Sequence, residues 1–144
     1  MADNLFKWNF EKNEENFIYD TLKKLAESLK LESDGIFVPI VTIGDLSDNS
    51  RTYAFHIGVP ELSGFTWRIF EINTKNSTRF SEIIFPSSIK GAKSFKISSK
   101  ENLIETINQI INEKEIQLEL STYYNRVITK RKQKVDFRDM QHPL

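Results

Sequence analysis

The sequence contains no cysteine. That excludes a disulfide framework, thiolate zinc sites and cysteine nucleophiles, and it suits a reducing compartment. Glycine is sparse as well. The five residues stand apart, at positions 35, 44, 58, 64 and 91. They assemble neither a Gly-x-Gly-x-x-Gly turn nor a Gly-x-x-x-x-Gly-Lys phosphate loop, so nucleotide binding of the usual loop type is disfavoured. No serine sits in a Gly-x-Ser-x-Gly context. The two histidines, His56 and His142, are too few for a three-ligand zinc site. No catalytic residue, metal or cofactor is expected.

Long apolar runs are missing too. The longest, from Gly35 to Gly44, is broken by Pro39 and stops at Asp45. It falls short of the ~18 residues that suggest a membrane span. The first residues lack the basic segment followed by an apolar one that marks a signal peptide. These absences read as a cytoplasmic protein with no membrane role. An excess of charge of one sign is likewise absent, because 20 Lys and Arg balance 20 Asp and Glu. The distribution is uneven, however. Residues 1–50 carry ten acids and five bases, and residues 51–100 carry three acids and eight bases. A dipolar surface of this kind can orient a partner without identifying it.

What the chain does have is core material. Aromatics make up 12% of its 144 residues, and 11 of them are Phe. A domain of this size buries about 68–70% of the surface its unfolded chain exposes, so it needs no covalent staple. Residues 1–134 read as one compact domain, and 135–144 as a tail with little periodicity, extended or frayed.

The alternation of Phe6, Trp8 and Phe10 suggests a short leading strand. Asn13 then fits an N-cap, with Glu14 and Glu15 in the first turn. Phe17, Ile18, Leu22, Leu25, Ala26 and Leu29 recur at helical spacing, which predicts a helix from about Glu14 to Lys30, stopped by Asp34-Gly35. Five segments rich in β-branched and aromatic residues follow: Ile36 to Ile43, Thr52 to Val59, Phe65 to Ile72, Phe80 to Phe85 and Ser94 to Ile97. The connections between them are too short for crossover helices, so neighbours must pair antiparallel. Pro39 cannot donate to a ladder, which makes the first strand an edge or a bulged one. In the third strand both parities are apolar, Phe65, Trp67 and Ile69 on one and Phe70 and Ile72 on the other. This predicts at least partial cover on both faces of the sheet, one by the first helix and the other by a later segment or a partner. Ser99 fits an N-cap for a helix carrying Leu103, Ile104, Ile107, Ile110 and Ile111. Residues 116–120 satisfy strand and helix periods alike, and Ser121 to Lys132 reads as helix.

The fold class is therefore α+β: an antiparallel meander of about five strands, preceded by one helix and followed by one or two. That order is shared in outline by folds that wrap a curved sheet round a terminal helix and enclose a cavity, an analogy that carries little about function.

Three functions compete. The first is a non-catalytic protein-binding protein, of the inhibitor, immunity or accessory-factor type. Trp67, Arg68, Tyr123 and Tyr124, with Trp8, are its candidate anchors, since Trp, Tyr and Arg dominate interface hot spots. The plainer reading of a strand Trp is core. The second is a nucleic-acid-binding accessory protein. Arg126, Lys130, Arg131, Lys132 and Lys134 lie beside two tyrosines, so phosphate neutralisation and base stacking are both available. The plainer reading is a solubilising helix end, where cations suit the dipole. The third is a small-ligand or enzyme pocket on the sheet, lined by His56, Arg68 and Glu82, with His56 as a general base beside Arg68 or Glu71. A lone sheet histidine is more often simply half-exposed. A nuclease arrangement of Asp34, Asp45, Asp48, Glu71 and Glu82 is weaker still. Lys75 falls two places beyond the Glu-x-Lys spacing, and Asp45 and Asp48 suit turns.

Overall fold

A computed structural model describes residues 5–8, 16–45, 50–74, 81–85 and 93–140 of the chain. The elements run α1 (Asn16–Glu32), β1 (Val38–Asp45), β2 (Arg51–Val59), β3 (Phe65–Thr74), β4 (Ser81–Phe85), β5 (Lys93–Ile97), α2 (Lys100–Ile111) and α3 (Lys114–Met140). The architecture is the expected α+β, with one helix before a five-stranded antiparallel meander and two after it. The proposed cap Asn13 lies outside the described residues. Leu5 to Trp8, expected to open a leading strand, join no strand.

Helix α1 buries Ile18 and Leu22 on one stripe and leaves Asp20, Lys23, Lys24 and Glu27 in solvent. Its end is set by local chemistry. The Gly35 N–H donates to the Lys30 carbonyl at 2.9 Å, and the Ser33 N–H to that of Leu29 at 3.0 Å. Closing the helix this way requires left-handed backbone. Asp34 (φ 51°) and Gly35 (φ 78°) supply it, Gly without a Cβ penalty and Asp as one of the few residues that tolerate the region. The Ser33 hydroxyl then accepts from the Phe37 N–H at 3.1 Å and leads the chain into β1.

The strands lie in the order β1-β2-β3-β4-β5, each antiparallel to its neighbours. Pro39 sits in β1, an edge strand, where its missing donor costs least. The β2–β3 turn closes with Ser63 (φ 57°) and Gly64 (φ 70°).

Strand β3 has a different reason for its two apolar parities than cover on both faces. Phe55 stands opposite Phe70 and His56 opposite Arg68, so Ile69 is an extra residue on β3. This β-bulge shifts the parity of everything before it. Phe65 and Trp67, opposite Val59 and Ile57, therefore fall on the same face as Phe70 and Ile72, opposite Phe55 and Tyr53. Both apolar parities of β3 serve one face. Ile69 and Phe70 are both buried at the bulge.

All three helices contribute to one core on that face. Ile18 and Leu22 of α1, Leu103, Ile107 and Ile110 of α2, and Ile116 and Val127 of α3 join Tyr53, Phe55, Ile57, Phe70, Ile72 and Ile83. Phe55 and Phe70 stack with ring centroids 5.4 Å apart. Each fully buried side chain of this size contributes about 1.5–3 kcal/mol of hydrophobic stabilisation. Helix α2 starts at Ser99, whose side chain accepts from the Asn102 N–H at 3.0 Å, as its N-cap position predicts. Residues 116–120, ambiguous in sequence, are helical and belong to α3. Ile116 and Leu120 face the core while the intervening Leu118 is 66% exposed, which is the helical solution to the pattern.

Candidate functional site

The packed layers leave a cavity of about 390 Å³ between the C-terminal half of α1, the covered face of the sheet and the start of α3. Its floor is Phe55, Ile57 and Ile69, and its walls include Leu25 and Leu29 of α1 and Leu120 and Tyr124 of α3. The polar groups on its lining are Ser28, Glu32, Ser33, Gln117, Ser121 and Asn125. Helical spacing in α1 places Leu25, Ser28, Leu29 and Glu32 along one stripe. In α3, Gln117, Ser121 and Tyr124 lie at intervals of four and three residues, which brings them to one side of the helix. No feature of local sequence marks these residues, because the cavity exists only once α1 and α3 stand on the same sheet.

The other face of the sheet carries the residues that sequence reading had assigned to a pocket. His56 lies opposite Arg68 on β3 and Ile40 on β1. The Thr42 hydroxyl and His56 Nε2 are hydrogen-bonded at 3.2 Å. The Arg68 guanidinium pairs with Glu71. Glu82 lies two strands from His56, opposite Asn73 and Lys96, and accepts a hydrogen bond from the Ser94 hydroxyl. Strand spacing alone separates His56 from Glu82 by about 10 Å. His56, Arg68 and Glu82 therefore share a face without converging, and the cavity is on the opposite side. Partial burial pushes the His56 pKa below its usual value. The Arg68 charge pushes the same way, and Glu71 opposes them.

The anchor candidates divide between the two sides. Trp67 packs on the helix side, edge-on to Tyr123 with ring centroids 6.0 Å apart. Phe65 meets the same tyrosine at 4.8 Å, and Tyr124 meets Phe37 at 6.3 Å. Burial raises the pKa of the Tyr123 hydroxyl; Glu119 adds to the rise and Arg126 opposes it. Trp67, Tyr123 and Tyr124 are half-buried and Phe65 is 38% exposed, so the cluster packs on the core with one side in water. Arg68, the neighbour of Trp67 in sequence, points the other way.

The basic segment lies on α3. Arg131 forms a two-pronged pair with the Glu61 carboxylate in the β2–β3 turn, at 2.7 and 3.0 Å. Lys130 donates to the Glu61 carbonyl at 2.7 Å. Two of the four described bases thus tie α3 to a turn nearly 70 residues earlier in the chain. Arg126 and Lys132 are exposed, and the Lys134 side chain lies outside the described residues.

Asp45, a turn former by sequence, pairs with Arg51 at 2.7 Å across the β1–β2 connection. Asp48 and His142 lie outside the described residues. Among the described residues no group of three His, Cys, Asp or Glu side chains is placed to hold a metal ion, and no helix is long and apolar enough to cross a membrane.

A different feature is conspicuous at the N-terminal end. Leu5, Phe6 and Trp8 are 86%, 74% and 80% exposed. Three large apolar side chains within four residues meet water almost completely. No protein-family model, curated protein or solved structure matches the chain, so its function rests on these features.

Proposed function

We propose that this protein is a non-catalytic protein-binding protein that engages its partner through the segment Leu5–Trp8. The exposure of Leu5, Phe6 and Trp8 carries the reading. Isolated surface hydrophobes are ordinary, but a contiguous group of this kind is characteristic of interaction sites. Phe6 and Trp8 are two residues apart, so an extended bound conformation would place both rings on one side, where one apolar groove on a partner can take them. Trp is the residue type most associated with interface hot spots. The acidic bias of residues 1–50 favours a partner whose groove is rimmed by bases. The open sheet face does not compete for this role. An antiparallel sheet ordinarily keeps one polar face in water.

The nucleic-acid alternative keeps Arg126 and Lys132 as exposed cations, while Lys130 and Arg131 already have partners in the β2–β3 turn. One experiment separates the two readings. The purified protein is used to capture binders from the native host's lysate, with and without nuclease. It is compared with Phe6→Ala/Trp8→Ala and with Arg126→Gln/Lys132→Gln. A stoichiometric protein held by the wild type and the glutamine variant, and lost by the alanine variant, is the expected result. Capture that vanishes with nuclease and with the glutamine variant moves the function to nucleic acid. Protein capture unchanged in the alanine variant refutes the role of Leu5–Trp8.

A further inference from the structure

We infer that the cavity between α1 and α3 is a binding site for a small, uncharged amphipathic molecule with a compact apolar body. Its volume of about 390 Å³ lies within the range of small-ligand pockets, roughly 300–1,000 Å³. It is too small for a helix, whose diameter with side chains is about 10–12 Å. Phe55 and Ile57 on the floor are each 1% exposed and Ile69 2%, so the sheet closes the base and the surface open to a ligand is that of the half-buried helix residues Leu25, Leu29, Leu120 and Tyr124 above it.

The lining selects by charge as well as by size. No Lys, Arg or His contributes to it, and its one ionisable acid, Glu32, is exposed. An anion entering this space would lose hydration without gaining a cationic partner, which is costly. The floor offers no carboxylate to a cation. What the lining does offer is the half-buried apolar surface of Leu25, Leu29, Ile111, Leu120 and Tyr124, and neutral hydroxyl and amide groups from Ser28, Ser33, Gln117, Ser121 and Asn125. Of these, Ser28, Gln117, Ser121 and Asn125 are exposed, so they belong to the mouth. A ligand with an apolar body and a single hydroxyl, amide or aromatic amine end matches that polarity gradient. The site lies on the helix side of the sheet and uses none of Leu5, Phe6 or Trp8, so it stands or falls independently of the protein-binding reading.

The test is a fluorescence titration with 1-aminoanthracene, a neutral amphipathic fluorophore, against the full chain. Ser121→Trp fills the mouth from α3, and Ser28→Trp fills it from α1. Melting curves show which of the two variants remains folded, and a folded one is used. Phe6→Ala/Trp8→Ala controls for probe adhering to the exposed N-terminal aromatics. The expected result is saturable one-to-one binding that weakens by about tenfold or more in the tryptophan variant and is unchanged in the alanine variant. Absence of saturable binding overturns the inference. So does unchanged affinity in a folded tryptophan variant. Loss of binding in the alanine variant, or an affinity that varies with protein concentration, also overturns it, because the probe is then reading the N-terminal segment or a contact between two copies.

Discussion

The two faces of strand β2 are built from alternating residues a few ångströms apart, and they differ in almost every physical respect. On one, Tyr53, Phe55, Ile57 and Val59 are buried beneath α1, α2 and α3. On the other, Thr52 and His56 are half-exposed, and the small residues Ala54 and Gly58 are hidden by neighbours. A Cβ on Gly58 would stand 3.4 Å from the Val38 carbonyl oxygen. The first face supplies stability by excluding water. The second satisfies its charges locally, Arg68 pairing with Glu71 and Glu82 accepting from the Ser94 hydroxyl. A single inserted residue, Ile69, keeps the two faces distinct along β3, because without it Phe65 and Trp67 would turn to the solvent side.

That comparison is most severely broken by deleting Ile69. The deletion aligns the two halves of β3 in one parity and moves the apolar set of one half to the wrong face. We expect loss of cooperative unfolding and red-shifted tryptophan emission; a cooperative transition near the wild-type midpoint would show that the bulge is dispensable. Phe55→Ala acts on the covered face alone. It removes the ring stacked on Phe70 and enlarges a site beside an existing cavity, and should cost about 3–5 kcal/mol by urea titration. Ser99→Ala removes the N-cap bond to Asn102 and should cost about 1 kcal/mol. On the open face, Arg68→Ala should change stability by about 0.5 kcal/mol or less, since its pair with Glu71 is solvent-exposed. A cost near that of Phe55→Ala would mean that the open face is covered after all.

The smallest effect is a pH dependence. His56 has a folded pKa below its usual value because partial burial and Arg68 disfavour the cation. The unfolded state therefore binds the proton more tightly than the folded state. The stabilising contribution is present above the ordinary histidine pKa, about 6.5, and is lost as pH falls through the lower folded value. His56→Gln should flatten the stability profile between pH 7 and pH 5. An unaltered slope would assign the pH dependence to other groups.

Much of the fold was legible in local chemistry. Ser99 reads as a cap because its hydroxyl can replace a missing backbone partner at a helix start. Asp34-Gly35 reads as a stop because that pair accepts left-handed backbone. Short connections force neighbouring strands antiparallel, and Pro39 restricts its strand to an edge or a bulge. The candidate sites were less legible. Trp67 and Arg68 are neighbours in sequence and look like a joint anchor, yet adjacent strand residues face opposite ways, one to Tyr123 and the other to solvent. His56, Arg68 and Glu82 share a face, but nothing local reveals that two strand spacings lie between the first and the last. Lys130 and Arg131 looked like a free basic patch because their partner Glu61 is nearly 70 residues away.

The sequence by itself determined the helix–meander–helix order, the end of α1, the start of α2 and the antiparallel pairing, but not the extent of α3, which runs from Lys114 to Met140 through residues that read as ambiguous and as tail. The properties it determined depend on residue type and on partners within a few positions. The tertiary structure alone decided which face the helices cover, how the bulge at Ile69 brings two apolar parities to that face, and where α1 and α3 leave a cavity. It also exposed Leu5, Phe6 and Trp8. Each of these depends on packing between segments far apart in the chain, and packing is set by volume and geometry that no local pattern records.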